Sequence, residues 1–434
     1  MNTELFLVRK IALNRKSFSG FIIRIAIAAV ALSVCTMIVA TAMVNGFQKE
    51  IRKKVLSAWS HLYIRKFSLT NSLQEEPIPL AQDFYLNKNL IPEARHIQPT
   101  AHKGGLLKTN TDFEGIVLKG LSDDFDVSNF ASYIRKGDFP AYAGALDERD
   151  IIISRILANR LKLDTGQRVT VSFIGNNIRN RPFRVRAIYE TGLEEFDRYF
   201  AFVKLNVIQQ LNGWGQDTVG EFEVFLKEEN LFKPRWKSYL LIIARPFLND
   251  DAVEALARDP LDDIRLRIDA RLSNPTLELQ TIKAKVPGIF DWLELQSMNE
   301  FIILLLMIIV AAINMITALL ILIMERTHTI GILKALGSTD FSIRKLFLYY
   351  SAIITGVGLL IGNVIGIGLC LLQKHFQLIR LPQDSYYLSY APVELNYAWI
   401  ALLNIATIII TLLILLGPTA IITRITPVKA IRFD

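Results

Sequence analysis

Four stretches of this chain are apolar and nearly uncharged for long enough to cross a bilayer, and they are unevenly placed. One lies near the start, at Phe21–Val44. The other three crowd the last third, at Phe301–Met324, Leu346–Leu372 and Ala398–Thr423. A hydrocarbon core of about 30 Å takes about 20 helical residues to cross, so each stretch qualifies. The polar stretch between the first and second is far too long for a loop and must fold by itself. The expected class is therefore membrane α-helical, with four transmembrane helices in a 1 + 3 arrangement. A large α+β extracytoplasmic domain is inserted between the first and second.

The expected boundaries follow from the same pattern. They are an amphipathic N-terminal helix over 1–19, spans over 20–46, 299–324, 346–372 and 398–423, and the inserted domain over 47–298. A cytoplasmic loop over 325–345, a short outer loop over 373–397 and a tail over 424–434 complete the chain. The N-terminal cluster Leu5, Phe6, Val8, Ile11 and Leu13, with four cations, suits a helix lying along the inner leaflet or an extension of the first span.

Composition agrees. Hydrophobic residues make up 51% of the 434, and the mean hydropathy of +0.32 lies between soluble and wholly membrane-embedded chains. The net charge of +8 is not gathered into a patch, so no nucleic-acid partner is expected. Cys35 and Cys370 both fall inside apolar stretches and read as small packing residues. The first apolar run starts late and is too long for a signal peptide, so it is expected to be retained.

Lys and Arg in the short flanks orient the chain. Arg9, Lys10, Arg15 and Lys16 precede the first span. Arg326, Lys334, Arg344 and Lys345 lie between the second and third, and Arg424, Lys429 and Arg432 follow the fourth. These segments are expected in the cytoplasm, and the inserted domain and the short loop over 373–397 outside.

Within the insert, Phe113–Gly120, Arg168–Phe173 and Phe183–Tyr189 alternate as half-buried strands do, and Ile151–Ile153, Phe200–Val203 and Glu221–Leu226 read as further strands. Ser154 stands at the N-cap of a helix over Arg155–Leu163, and Asp164-Thr165-Gly166 is a turn. Helices are expected at Leu205–Leu211 and Asp251–Arg258, and one at Gly288–Glu300 running directly into the second span. Ser68–Pro99 reads as loop with short strands, and Pro275–Val286 as helix or strand.

Catalytic signatures are missing. There is no GxxxxGK[ST] phosphate loop, no HExxH and no GxSxG. His61, His96, His102, His328 and His375 are scattered, so neither a metal site nor a catalytic residue is expected. The spans lack Asp, Glu and Lys at mid-membrane, which disfavours ion-coupled transport. Asn314 is the polar residue of the second span, placed to hydrogen-bond across helices or back to its own. Gly358, Gly362 and Gly366 share one face of the third. They allow a tight contact within or between protomers, or ordinary packing.

After the second span, Ile330, Leu333, Leu336 and Gly337 recur at helical spacing, and Ser338 or Thr339 can cap the next helix. Such a helix suits a partner's groove or a hairpin resting on headgroups. The run Thr329-Ile330-Gly331-Ile332-Leu333-Lys334-Ala335-Leu336-Gly337 resembles the coupling-helix signature of MacB/FtsX-type ABC transporter permeases. Asn45-Gly46-Phe47 with Glu50-Ile51 and Thr191-Gly192-Leu193-Glu194-Glu195-Phe196-Asp197 resemble segments of the lipoprotein-releasing (LolC/LolE) members. So does the ending from Gly417-Pro418 through Pro427-Val428-Lys429-Ala430-Ile431-Arg432.

The resemblance covers essentially the whole chain and implies a non-catalytic subunit. Glu325, Arg326, Ile330, Gly331, Leu333, Lys334, Ala335, Leu336 and Gly337 would couple it to a separate ABC ATPase, which carries the ATP and Mg. It implies a second permease protomer, identical or paralogous, and a lipoprotein substrate extracted from the bilayer by mechanotransmission. Met43, Val44, Phe47, Phe301 and Leu305 are candidates for the lipoprotein groove. A periplasmic lipoprotein carrier is implied too. The family's carrier-recruiting hook corresponds here to the short Gly175–Pro182, where Arg179, Arg181 and Pro182 are candidate contacts or part of a plain turn. A MacB-type exporter component for peptides or amphiphiles and an FtsX-like regulator of cell-wall hydrolases are the rival readings.

Overall fold

The structure, a computed structural model, describes residues 19–424 apart from 69–74, 110–111, 141–142, 174–178, 228–230, 233–236, 238, 240, 242–243, 273 and 383–385. The N-terminal helix expected over 1–19 (all but Ser19) and the chain from 425 lie outside the described residues. Two compact units emerge. One comprises residues up to Gln48, Leu295–Arg380 and the chain from Tyr390; the other comprises Lys49–Glu294 with Leu381–Ser389.

Four helices among the described residues are long and apolar enough to cross a membrane: Gly20–Leu56, Pro287–Glu325, Asp340–Phe376 and Tyr397–Thr419. The first belongs to a continuous helix, Ser19–Ala58, which outruns the expected span by more than three turns. The second begins at Pro287, a residue suited to a first helical turn, so the expected pre-span helix is indeed continuous with the span. Thr339 caps the third span by accepting from the Ser342 N–H at 3.3 Å, and Asn396 caps the fourth by accepting from Trp399 at 3.0 Å. The fourth ends at Thr419 and tightens into a 3-10 turn over Ala420–Arg424.

The second unit is α+β. Its strands are β1 Leu62–Lys66, β2 Ile78–Pro79, β3 Ala94–Thr100, β4 His102–Lys108, β5 Phe113–Leu121, β6 Ile134–Gly137, β7 Asp150–Ser154, β8 Arg168–Phe173, β9 Arg179–Tyr189, β10 Phe200–Lys204, β11 Thr218–Val219, β12 Glu221–Leu226 and β13 Leu277–Thr281. One antiparallel sheet has the order β13-β1-β12-β3; β2 and β11 form a two-stranded pair. The large sheet runs β6-β9-β7-β10-β5-β4-β8, and β8 also pairs with β9. Six strands therefore close into a ring with β6 attached outside it, which removes most free edges.

Alternation explains the ring. In β8, Val169, Val171 and Phe173 are buried; in β9, Phe183, Val185, Ala187 and Tyr189 are. Trp59, just past the first long helix, joins an aromatic core, edge-on to Phe196 at 4.7 Å, with Tyr189 and Phe202 beside it. Ser154 caps its helix as expected, accepting from Leu157 N–H at 3.1 Å. That helix stops at Arg160 rather than Leu163, because Lys162 turns left-handed at φ 54° and Gly166 follows at φ 85°.

His61 gives this unit a pH dependence. Its Nδ1 accepts from the Leu226 N–H at 3.2 Å, which requires a neutral ring. Burial, and then the charge of Arg95, push its pKa down from 6.5 to about 4. Between those values the unfolded chain holds the extra proton, so stability rises with pH across that window and is lost as pH falls from 6.5 towards 4. The expected loss is on the order of 3 kcal/mol. About 2 kcal/mol of it should already be lost between pH 7.5 and pH 5, as denaturant midpoints at the two pH values measure, and His61→Gln should flatten the difference.

Candidate functional site

The connection between the second and third spans forms a nine-residue helix, Thr327–Ala335. Gly337 ends it at φ 90°, and the Ser338 N–H donates back to Leu333 O at 2.9 Å. The expected apolar stripe is split by depth. Ile330 is 1% exposed, Gly331 is also buried and Leu333 is half-buried, whereas Ile332 is 42% and Leu336 78% exposed. Lys334 is held inward: its Nζ is 2.7 Å from Asp340 Oδ1 and donates to Ile422 O at 2.7 Å. Ile330, Gly331 and Lys334 are thus supports rather than outward-facing contacts. The surface offered outward is His328, Thr329, Ile332, Ala335, Leu336 and Gly337, with Glu325 exposed and Arg326 half-buried beside it.

The glycine face of the third span packs within the chain, against the first span. A Cβ at Gly362 would lie 2.7 Å from Ala31 O, and one at Gly358 would lie 2.8 Å from Val30 Cβ. Gly366 meets Cys35 and Ile38 at 3.2 Å. Asn314, by contrast, makes neither hydrogen bond considered for it among the described residues; it is half-buried. Among the amides that do bond between these helices are Asn363 and Asn404, reciprocally at 3.0 Å, and Gln48, which donates to Ser297 Oγ at 2.7 Å. A lone Asn in each of two spans was a signal available in the sequence.

At the end of the first span nearest the insert, Gly46 has a steric role. A Cβ there would sit 2.6 Å from Pro392 C, and the Glu394 N–H donates to Ala42 O at 3.0 Å. Met43, Val44, Phe47 and Phe301 are half-buried, and Leu305 is 47% exposed, alongside exposed Ile302 and Leu306.

In the insert, Thr191–Asp197 is knotted around one carboxylate. Asp197 is 1% exposed and accepts from Thr191 Oγ1 at 2.6 Å, the Thr191 N–H at 3.1 Å and the Gly192 N–H at 3.0 Å. The Ser154 hydroxyl donates to its backbone oxygen. Burial pushes its carboxyl up, partly offset by these donors.

The candidate carrier contacts are not a loop. Arg179, Arg181 and Pro182 lie in β9, laddered to Phe173, Val171 and Thr170. Arg181 is spoken for: it donates to Glu148 at 3.2 Å and Gln210 at 3.0 Å. Pro182 is tolerated because β7 joins β9 only from Arg184 onward, leaving one edge open there. The part of the loop at 174–178 lies outside the described residues.

One cluster went unread in the sequence. Glu221 and Glu223, alternate residues of β12, are both buried. Glu223 takes Lys119 at 2.6 Å and Gln98 at 2.8 Å; Glu221 takes Lys285 at 2.5 Å. His102 Nδ1 lies 2.6 Å from Glu75 Oε1 and 3.7 Å from Glu221 Oε1. Burial raises the Glu221 carboxyl, but Lys285, His102 and Lys119 outweigh it and hold it below its usual range. Residues 75, 102 and 221 meet through sheet pairing, which spacing does not reveal.

Long apolar helices, a packed connecting helix and a ring-closed α+β insert define a membrane protein with a large inserted domain. Two family models match it: the MacB-like periplasmic core domain over residues 25–259, more than half the chain, and the FtsX-like permease C-terminal over 301–427. The chain belongs to the MacB/FtsX-type ABC transporter permeases. It is similar to the lipoprotein-releasing system transmembrane protein LolC of Neisseria meningitidis, at 24% identity over 98% of this chain and 97% of that one. The LolE protein of Haemophilus influenzae is 20% identical over 93% and 92%. Among solved structures, the periplasmic region of MacB from Actinobacillus actinomycetemcomitans aligns with 54% of this chain and 96% of its own at 12% identity, with a TM-score of 0.33.

Proposed function

We propose that this chain is the permease subunit of an inner-membrane lipoprotein-releasing transporter. A partner ABC ATPase grips Thr327–Gly337 from the cytoplasm, and that partner alone binds ATP and Mg. Both termini are then cytoplasmic and the insert periplasmic. A second permease protomer completes the membrane unit. Lipoprotein acyl chains rest against Met43, Val44, Phe47, Phe301 and Leu305, and ATP-driven movement of the insert passes the lipoprotein to a periplasmic carrier. The observation that carries this reading is similarity along nearly the full chain to proteins named for lipoprotein release. Exposed Ile332 and Leu336 support the docking surface, since apolar anchors on a helix suit a partner's groove. With Arg181 engaged inside its own domain, carrier recruitment rests more naturally with the second protomer.

Depletion and complementation test it. Depleting the chain should leave outer-membrane lipoproteins in the inner membrane, and the wild-type chain should restore sorting. Leu336→Glu should fail to restore it while being made at normal levels, because it alters an exposed position. Normal sorting after depletion would point instead to an exporter of peptides or amphiphiles, or to a regulator of cell-wall hydrolases.

A further inference from the structure

We propose that Glu75, His102 and Glu221 form a binding site for a divalent transition-metal ion of the Zn²⁺ kind. Their donor atoms all lie within 4.8 Å of one another, and they come from a loop, the start of β4 and the start of β12. One imidazole nitrogen with carboxylate oxygens is a donor set that Zn²⁺ accepts, with a fourth position left to water. Metal–ligand bonds of about 2.0–2.2 Å need donors roughly 3–3.5 Å apart. The 2.6 Å from His102 to Glu75 and the 3.7 Å from His102 to Glu221 bracket that spacing, and a Glu75–Glu221 separation within 4.8 Å leaves side-chain shifts of about an ångström to seat an ion.

Charge points the same way. Three carboxylates, Glu75, Glu221 and Glu223, and two ammonium groups, Lys119 and Lys285, make up the linked cluster that includes His102. Glu223 is paired with Lys119. Glu221 is paired with Lys285, so two ammonium groups meet three carboxylates around the His102 ring. Lys285 also lies 3.7 Å over the Tyr63 ring, which holds it when an ion takes over Glu221. The side chains of His102 and Glu75 keep 14% and 18% exposure, enough for an ion to enter, whereas Glu221 at 6% anchors the floor.

The test titrates Zn²⁺ into tag-free, full-length protein. One ion per chain is expected to bind saturably, with affinity falling at least tenfold in both His102→Ala and Glu75→Gln. No saturable binding, or binding unchanged in both variants, overturns the site. Should a variant fail to fold, X-ray absorption on the Zn²⁺-loaded wild-type chain answers the same question. A single imidazole among oxygen ligands supports the site; a shell without imidazole overturns it.

Discussion

Asp197→Ala is expected to lower the stability of the inserted domain by about 4 kcal/mol, a large share of the 5–15 kcal/mol that holds a typical domain. The carboxylate satisfies two backbone N–H groups and a hydroxyl inside the core, at 1% exposure. Alanine leaves those donors buried and unpaired, each costing about 1–3 kcal/mol. Asn should rescue little, because its NH₂ group faces donors. Thr191→Val should cost about 2 kcal/mol, because the two backbone bonds to Asp197 survive but the buried Leu193 N–H, which donates to Thr191 Oγ1 at 3.1 Å, loses its acceptor. Tryptophan fluorescence during denaturant unfolding is the measurement, as Trp59 packs on Phe196, the residue before Asp197. A midpoint shift under about 0.5 kcal/mol for the alanine variant would contradict the argument.

The second large effect lies in the membrane. Gly362→Leu should prevent the first and third spans from closing, because even a Cβ would stand 2.7 Å from Ala31 O and 2.9 Å from Val34 Cβ. Overpacking a well-filled site costs about 1–3 kcal/mol, and more where the obstacle is backbone. Folded protein recovered from membranes should fall to a small fraction of wild type, with alanine intermediate. Gly356→Leu and Gly368→Leu, in the same helix, should be tolerated, since a Cβ at either meets nothing within 4 Å. Equal recovery for all three leucine variants would sink the proposed contact.

These two sites mark what could and could not be read from the chain. The spans were legible because about 20 apolar residues in a row leave few alternatives. β8 and β12 were found at their ends, β8 because it alternates over six residues and β12 because it is a short, mostly apolar run behind a glycine. β3 was partly hidden by Pro99, which an edge strand tolerates. β4 was missed: Gly104 and Gly105 weaken its pattern, and its pairing with β5 supplies the order. The connecting helix was located correctly, but which of its residues face inward depended on neighbouring spans. Ile330 and Leu336 look alike as letters, yet one is 1% and the other 78% exposed. Likewise β12 reads as apolar on one face and acidic on the other. Nothing local says that Lys119, His102 and Lys285 wait opposite those carboxylates.

The reach of Lys334 has a mechanical consequence. One ammonium group fastens the connecting helix both to the first turn of the third span and to the carbonyl of Ile422, beyond the fourth. A tug delivered at Leu336 is therefore shared at once by three helix ends instead of bending one hinge. Cutting that tie with Lys334→Met would leave the handle in place but let it turn idly.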